Sequence, residues 1–247
     1  MEKLKVSGKR RLEISGDASV EIPDGAEASL VVRPAKDMEL TVTVGKGCSV
    51  DCLTIGENSG SLSQENRIGE GSVVRTTSIW LSEGSRRMSN ILQGERSEAY
   101  DMHLFVGRKG ELGIDSTLRH AAEDTKGDVL VKGVVYGSAY AGLEGMVKID
   151  KGASGAESFI AEHVLLLSPD AHARARPQLE IEDNDVNSRH AASVTPIDDD
   201  KIFYLASRGI GEEDAKKLIV EGFMLSALEG MEIKRRKMLE WLITAAL

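Results

Sequence analysis

The sequence predicts a mainly β chain that closes with a small α-helical segment, and three observations carry that prediction. Short β-branched runs such as Leu40-Thr41-Val42-Thr43-Val44 and Val129-Leu130-Val131 recur from Leu4 to about Ile197, broken by Gly, Asp, Asn and Ser. No amphipathic helix pattern and only five prolines interrupt them, which argues against alternating βαβ units. Aromatic residues make up 4% of the 247 residues, which suits a narrow β interior lined with small side chains.

Within the β region a local pattern of an apolar residue, a Gly or Asp and then a small residue recurs. It ends at Gly47, Gly71, Gly110, Gly152 and Asp170, in steps of 24, 39, 42 and 18 residues. These steps approximate one or two turns of a solenoid with roughly 20 residues per turn. A β-sandwich gives equally frequent turns, so both architectures stand at this point. Either end of a solenoid must be capped, because an open rung presents unpaired backbone groups and apolar interior. Cys48 and Cys52 fall on one face of a strand, roughly 13 Å apart when extended. No single metal bridges them, and they read as small residues filling the interior.

The tail changes character after Pro196, dividing the chain into a β core over residues 1–197 and a helical segment over 198–247. Asp198-Asp199-Asp200 supplies an N-cap and dipole-favoured acids for a short helix through Ile202, Phe203, Leu205 and Ala206, which Gly209 stops. A second helix starts at Gly211-Glu212-Glu213-Asp214, with Ala215, Leu218, Ile219, Gly222, Phe223 and Ala227 on one stripe. A third, Met231 to Ala246, carries Met238, Leu239, Leu242 and Ile243.

Composition narrows the function. A net charge of −9 disfavours nucleic acid and anionic membranes as principal partners. With no apolar stretch of eighteen residues and an opening Met-Glu-Lys-Leu-Lys-Val without a signal-peptide core, the expected location is the cytoplasm. Two cysteines are too few for a four-thiolate metal site. No Walker loop, dinucleotide fingerprint or Gly-x-Ser-x-Gly elbow occurs, so any nucleotide belongs to another subunit. His103, His120, His163, His172 and His190 lack metal-motif spacing. The acidic run from Glu180 to Asp185 ahead of His190 offers oxygens and an imidazole suited to iron. An enzyme of the β-solenoid acyltransferase or carbohydrate-active type, with His103 or His120 as base, is the alternative class. The six-residue repetition of the acyltransferases is missing.

Five ordered blocks over some sixty residues resemble the SufB/SufD family of iron–sulfur cluster assembly scaffolds. They are Leu165-Leu166-Leu167-Ser168, Ala175-Arg176-Pro177-Gln178-Leu179-Glu180-Ile181, Asp185-Val186 with His190-Ala191-Ala192-Ser193, Ile202-Phe203-Tyr204-Leu205-Ala206-Ser207-Arg208-Gly209-Ile210, and Glu213-Asp214-Ala215 with Glu221-Gly222-Phe223. The resemblance implies a right-handed parallel β-helix that pairs with a SufB-like subunit or a second copy of itself. It also implies terminal helices that dock a SufC-like ABC ATPase, and a non-enzymatic role. The cargo implied is a transient iron–sulfur cluster shared at the subunit interface.

His190 falls where the family carries a histidine implicated in iron or cluster handling; if the chain pairs with itself, two copies of His190 with nearby Glu180 or Glu182 from the acidic run are the candidate iron ligands. Ala171 and Ala191 stand where SufB has its sulfur-accepting cysteine and an acidic residue, which makes the chain SufD-like. Phe203, Tyr204, Arg208, Gly209, Asp214, Leu218, Ile219 and Phe223 match the ATPase-facing segment. A structural paralogue that binds the ATPase without touching iron is the remaining alternative.

Overall fold

The computed structural model describes residues 2–6, 10–57 and 59–247, without the side chains of Arg10, Lys234 and Ala246. The strands are β1 (Glu2–Lys5), β2 (Arg10–Ile14), β3 (Ala18–Ile22), β4 (Glu27–Val32), β5 (Met38–Val44), β6 (Ser49–Gly56), β7 (Gly60–Ile68) and β8 (Val73–Trp80). They continue as β9 (Gly84–Leu92), β10 (Glu98–Gly107), β11 (Glu111–His120), β12 (Lys126–Val135), β13 (Tyr140–Ile149), β14 (Ala156–Leu166), β15 (His172–Ile181) and β16 (Val186–Pro196). Among the described residues they form two eight-stranded sheets, odd-numbered strands in the first and even-numbered in the second. Every ladder is parallel, as β12 on β14 and β13 on β15 illustrate. A chain that crosses to the other sheet after each strand and always stacks in parallel is a β-solenoid. This excludes the sandwich.

Strand alternation builds the interior. In β13, Ala141, Leu143, Val147 and Ile149 face inward and are buried, while Glu144 and Lys148 face out. Parallel, in-register stacking repeats that choice from rung to rung, so one continuous core runs from Val6 to Ala171. The rungs lengthen along the chain: Glu39 bonds to Asp17 twenty-two residues earlier, whereas Lys148 pairs with Glu180 thirty-two residues later. A uniform 20-residue period is therefore corrected.

The repeat is set at the corners that follow β3, β5, β7, β9, β11 and β13 of the first sheet. There Gly25, Gly47, Gly71, Arg96, Asp124 and Gly155 all take positive φ. Each donates its N–H to the corresponding corner of the next rung, as in Gly47 to Glu70 and Arg96 to Glu123. Gly110 and Gly137 turn at the opposite corner. The irregular steps in the sequence arose from mixing the two corners and from missing Arg96 and Asp124, which adopt the left-handed turn without being glycine.

The tail forms α1 (Asp199–Ala206), capped by the Asp198 side chain, then α2 (Glu212–Leu225), a 3-10 turn at Ser226–Leu228 and α3 (Ile233–Ala246). It packs on the outer face of the second sheet. Ile79, Leu104, Val106, Val134 and Leu165 point outward there and share a second core with Val220, Met224, Leu228, Leu239 and Ile243. Each fully buried Leu or Ile contributes about 2 kcal/mol. The buried face of α2 is Ala215, Val220 and Met224, with Ile219 and Phe223 half-buried. Leu218, expected on the apolar stripe, faces solvent instead. The sheet beneath α2 selects a face rotated from the one that spacing suggested.

Candidate functional site

The last rung is open. Each of β15 and β16 pairs with one neighbour only, and their residues are half-buried or exposed where earlier strands are sealed. The Ile197 N–H bonds Leu166 and the Glu182 N–H bonds Ile149, which sets the phase of both edges. In β16 the backbone groups of Ser188, His190, Ala192, Val194 and Pro196 face the free edge, and in β15 those of Ala173, Ala175, Pro177, Leu179 and Ile181 do. Both prolines thus sit where the missing N–H costs the existing ladder nothing. The inward side chains Ala173, Ala175, Leu179, Val186 and Val194 cover the core only partly.

His190 lies in register with the fully buried Ile160 and therefore sits on the inward face of the mouth, exposed because no rung covers it. Glu180 is in register with Lys148 and ion-paired to it on the outer face of the other sheet. Glu182 follows β15 and is exposed. The strands thus direct His190 and Glu180 to different sides of the solenoid. Among the described residues no group of three His, Cys, Asp or Glu side chains converges. Ala171 is buried in the core just before β15, and Ala191 is half-buried on β16.

A buried polar column occupies the lumen below the mouth. Arg86, fully buried, donates to Gln64 at 2.9 Å; Gln64 donates to Asn66 at 2.8 Å, Asn66 to Asn90 at 2.7 Å, and Asn90 to Asp101 at 2.6 Å. Arg86 Nε and Nη1, Asp101 Oδ1, both His103 ring nitrogens and Trp80 Nε1 make no hydrogen bond, although His103 Nε2 lies 4.0 Å from Asp101 Oδ2. These buried polar groups without partners mark a polar stretch in an otherwise apolar interior. Burial dominates the ionisation there, lifting Asp101 to about 7 and lowering His103 to about 3 and Arg86 to about 10. Burial also raises the Cys52 thiol. Nearer the mouth, Glu162 is fully buried with neither carboxylate oxygen bonded, and burial raises it to about 7.

Sequence reasoning missed this column. Its signal was polar residues at inward positions, Gln64 and Asn66 on β7 and Arg86 and Asn90 on β9. The two candidate bases, His103 and His120, are sealed in the interior, and His120 bonds Thr125 at 2.8 Å. Cys48 and Cys52 are buried free thiols, as expected of interior filling.

On the tail, Phe203, Tyr204 and Leu218 are exposed apolar side chains, and Arg208 stacks over the Tyr204 ring at 5.1 Å. Gly209, at φ 85°, ends the turn after α1, and Asp214 is exposed in the first turn of α2. Phe223 is engaged within the chain, its ring under the Lys132 ammonium at 4.4 Å, and Ile219 packs into the second core. Ile233 and Trp241 on α3 add exposed apolar area that sequence reasoning did not single out.

These features define a solenoid with a buried polar column, an uncovered last rung and a helical appendage with exposed apolar residues. Residues 13–223 match the family model described as SUF system FeS cluster assembly, SufBD core domain. The chain belongs to the SufBD family of iron–sulfur cluster assembly proteins. It is 37% identical over 145 residues to the iron–sulfur cluster assembly protein SufD of Bacillus subtilis (strain 168), covering 58% of this chain and 33% of that one. It is 34% identical over 169 residues to a SufBD family protein of Mycobacterium tuberculosis (strain CDC 1551 / Oshkosh), covering 64% and 42%. A SufBD family protein of Synechocystis is 29% identical over 148 residues, covering 59% and 31%. The chain thus spans well under half the length of these relatives. No helix among the described residues is long and apolar enough to cross a membrane.

Proposed function

We propose that this chain is a non-catalytic scaffold subunit of iron–sulfur cluster assembly that works in the cytoplasm. It pairs through its open last rung with a SufB-like subunit or a second copy of itself. The cluster is cargo, held transiently where the two mouths meet, with His190 as this chain's ligand and Glu180 and Glu182 as acids near the rim. The exposed side chains of α1 and α2, chiefly Phe203, Tyr204, Arg208 and Leu218, dock a SufC-like ABC ATPase, with Gly209 and Asp214 at the edge of the patch and Ile219 and Phe223 supporting it from beneath.

The observation that carries this reading is the uncovered rung with His190 on its inward face. An open edge with exposed interior is a standing liability unless a partner covers it. A partner chain seated there brings its own groups to His190, which supplies the ligands that one chain lacks.

The test is anaerobic reconstitution with iron and sulfide, using this chain with a SufB-like subunit and the ATPase. Cluster absorbance that requires this chain and falls on His190→Ala supports the proposal. Equal cluster content with the His190→Ala variant overturns the site. Failure of the chain to associate with either subunit overturns the scaffold role.

A further inference from the structure

We propose that Glu162 is the inner ligand of a ferrous ion at the mouth of the lumen, with His190 as the outer ligand. This rests on the scaffold reading and names what the chain itself gives to the cargo.

The argument begins with strand register. Glu162 on β14 lies between Val131 on β12 and Ala192 on β16, all on inward positions. His190 is two residues before Ala192 on the same face. One strand spacing of about 4.8 Å and a two-residue rise of about 6.6 Å separate the Glu162 and His190 Cα atoms by about 8 Å. A carboxylate and an imidazole at that separation reach a common ion between them.

The surroundings leave the carboxylate nothing else to bond. Its oxygens have no protein partner, and a Cβ at Gly145, on the opposite sheet, would come within 2.8 Å of Oε1. Glycine there gives Glu162 the room to span the lumen. Ile160 packs on the same spot. The rung above adds Pro177 over Gly145, Ala192 over Glu162 and His190 over Ile160. Of these three, only His190 carries a side chain able to share a ligand with a carboxylate.

A buried carboxylate with no partner costs several kcal/mol unless a proton, water or cation meets it. The imidazole one strand over and two residues along selects among these, because carboxylate and imidazole together suit a divalent transition ion such as ferrous iron. The remaining coordination positions face the open mouth, where a partner subunit or sulfide arrives. Glu162 therefore does the work that Glu180, tied to Lys148 on the outer face, does not do from its own side of the wall.

The test uses the whole chain without metal, titrated anaerobically with cobalt(II) as a spectroscopic stand-in for iron(II), and then with iron(II) by calorimetry. The wild type is expected to bind one equivalent with visible ligand-field bands. Glu162→Gln and His190→Ala are each expected to weaken binding at least 10-fold. Glu162→Gln conserves shape, and circular dichroism with thermal melting verifies its fold; Glu162→Asp is the second variant, expected to retain the bands at reduced affinity. Unchanged binding by Glu162→Gln overturns the inference. So does a wild type that binds no cobalt yet supports cluster reconstitution with its partner, an outcome that leaves the scaffold function standing. Loss of reconstitution with metal binding intact instead removes the scaffold function and keeps the ion site.

Discussion

Arg235 of α3 donates to the Thr77 hydroxyl of β8 at 2.8 Å and also pairs with Asp51 of β6, tying the last helix to two rungs of the second sheet. Asp51 is half exposed, so solvent screens the ionic part. The more buried hydrogen bond carries most of the effect. Arg235→Ala is expected to cost about 1–2 kcal/mol. Hydrogen exchange should speed up in α3 and the 3-10 turn and stay slow in the strands of the lumen; acceleration spread evenly over the whole chain would contradict a local clamp.

Asp101 makes stability depend on pH. Burial lifts its folded-state value to about 7, above the usual carboxylate range, so between about 4 and 7 the folded chain holds a proton that the unfolded chain has released. Its contribution is full below the unfolded value and is lost as pH rises through 7. Asp101→Asn, which keeps an oxygen to accept from Asn90, is expected to gain on the wild type by about 2 kcal/mol between pH 5 and pH 9. His103 acts with the opposite sign. Its folded value near 3 withdraws stability as pH falls from the ordinary histidine range toward 3. Urea midpoints across pH measure both, and a parallel profile for Asp101→Asn and wild type would refute the assignment.

The free edge of β16 is directly addressable. The N–H of Ala192 faces away from β14, so Ala192→Pro removes a donor from the open edge and leaves the existing ladder whole. Light scattering and titration with a SufB-like subunit should then show association weakened at least 10-fold, with little change in melting temperature. Unimpaired association would place the partner elsewhere.

For the tail, Phe203→Ala combined with Leu218→Asp alters only exposed side chains and is expected to leave folding unchanged. Binding to a SufC-like ATPase should fall at least 10-fold. Retained affinity would move the docking surface, with the exposed Ile233 and Trp241 of α3 the next face to vary.

Much of this architecture is legible in the residues. Alternation such as Leu40-Thr41-Val42-Thr43-Val44 announces a strand with one buried face, and Asp198 announces the helix it caps. The resemblance blocks, clustered between Leu165 and Phe223, lie at the open rung and on α1 and α2. Other features depend on relations between distant segments. Arg96 and Asp124 hold turns that glycine holds elsewhere, because the neighbouring rung's carbonyl accepts their N–H. The run Leu104-Phe105-Val106 buries both faces, since the tail covers its outer side; that continuous apolar stretch was the available hint. Glu162 reads as an ordinary acid until its strand is placed with that residue inward.

The gradual lengthening of the coils gives the molecule a taper. In a cylinder any two neighbouring coils could be exchanged; in a cone each one fits a single level, and an inserted or deleted coil would leave a step that the inner side chains fail to bridge. The two ends therefore differ in girth, and a partner stacked on one would not match the other.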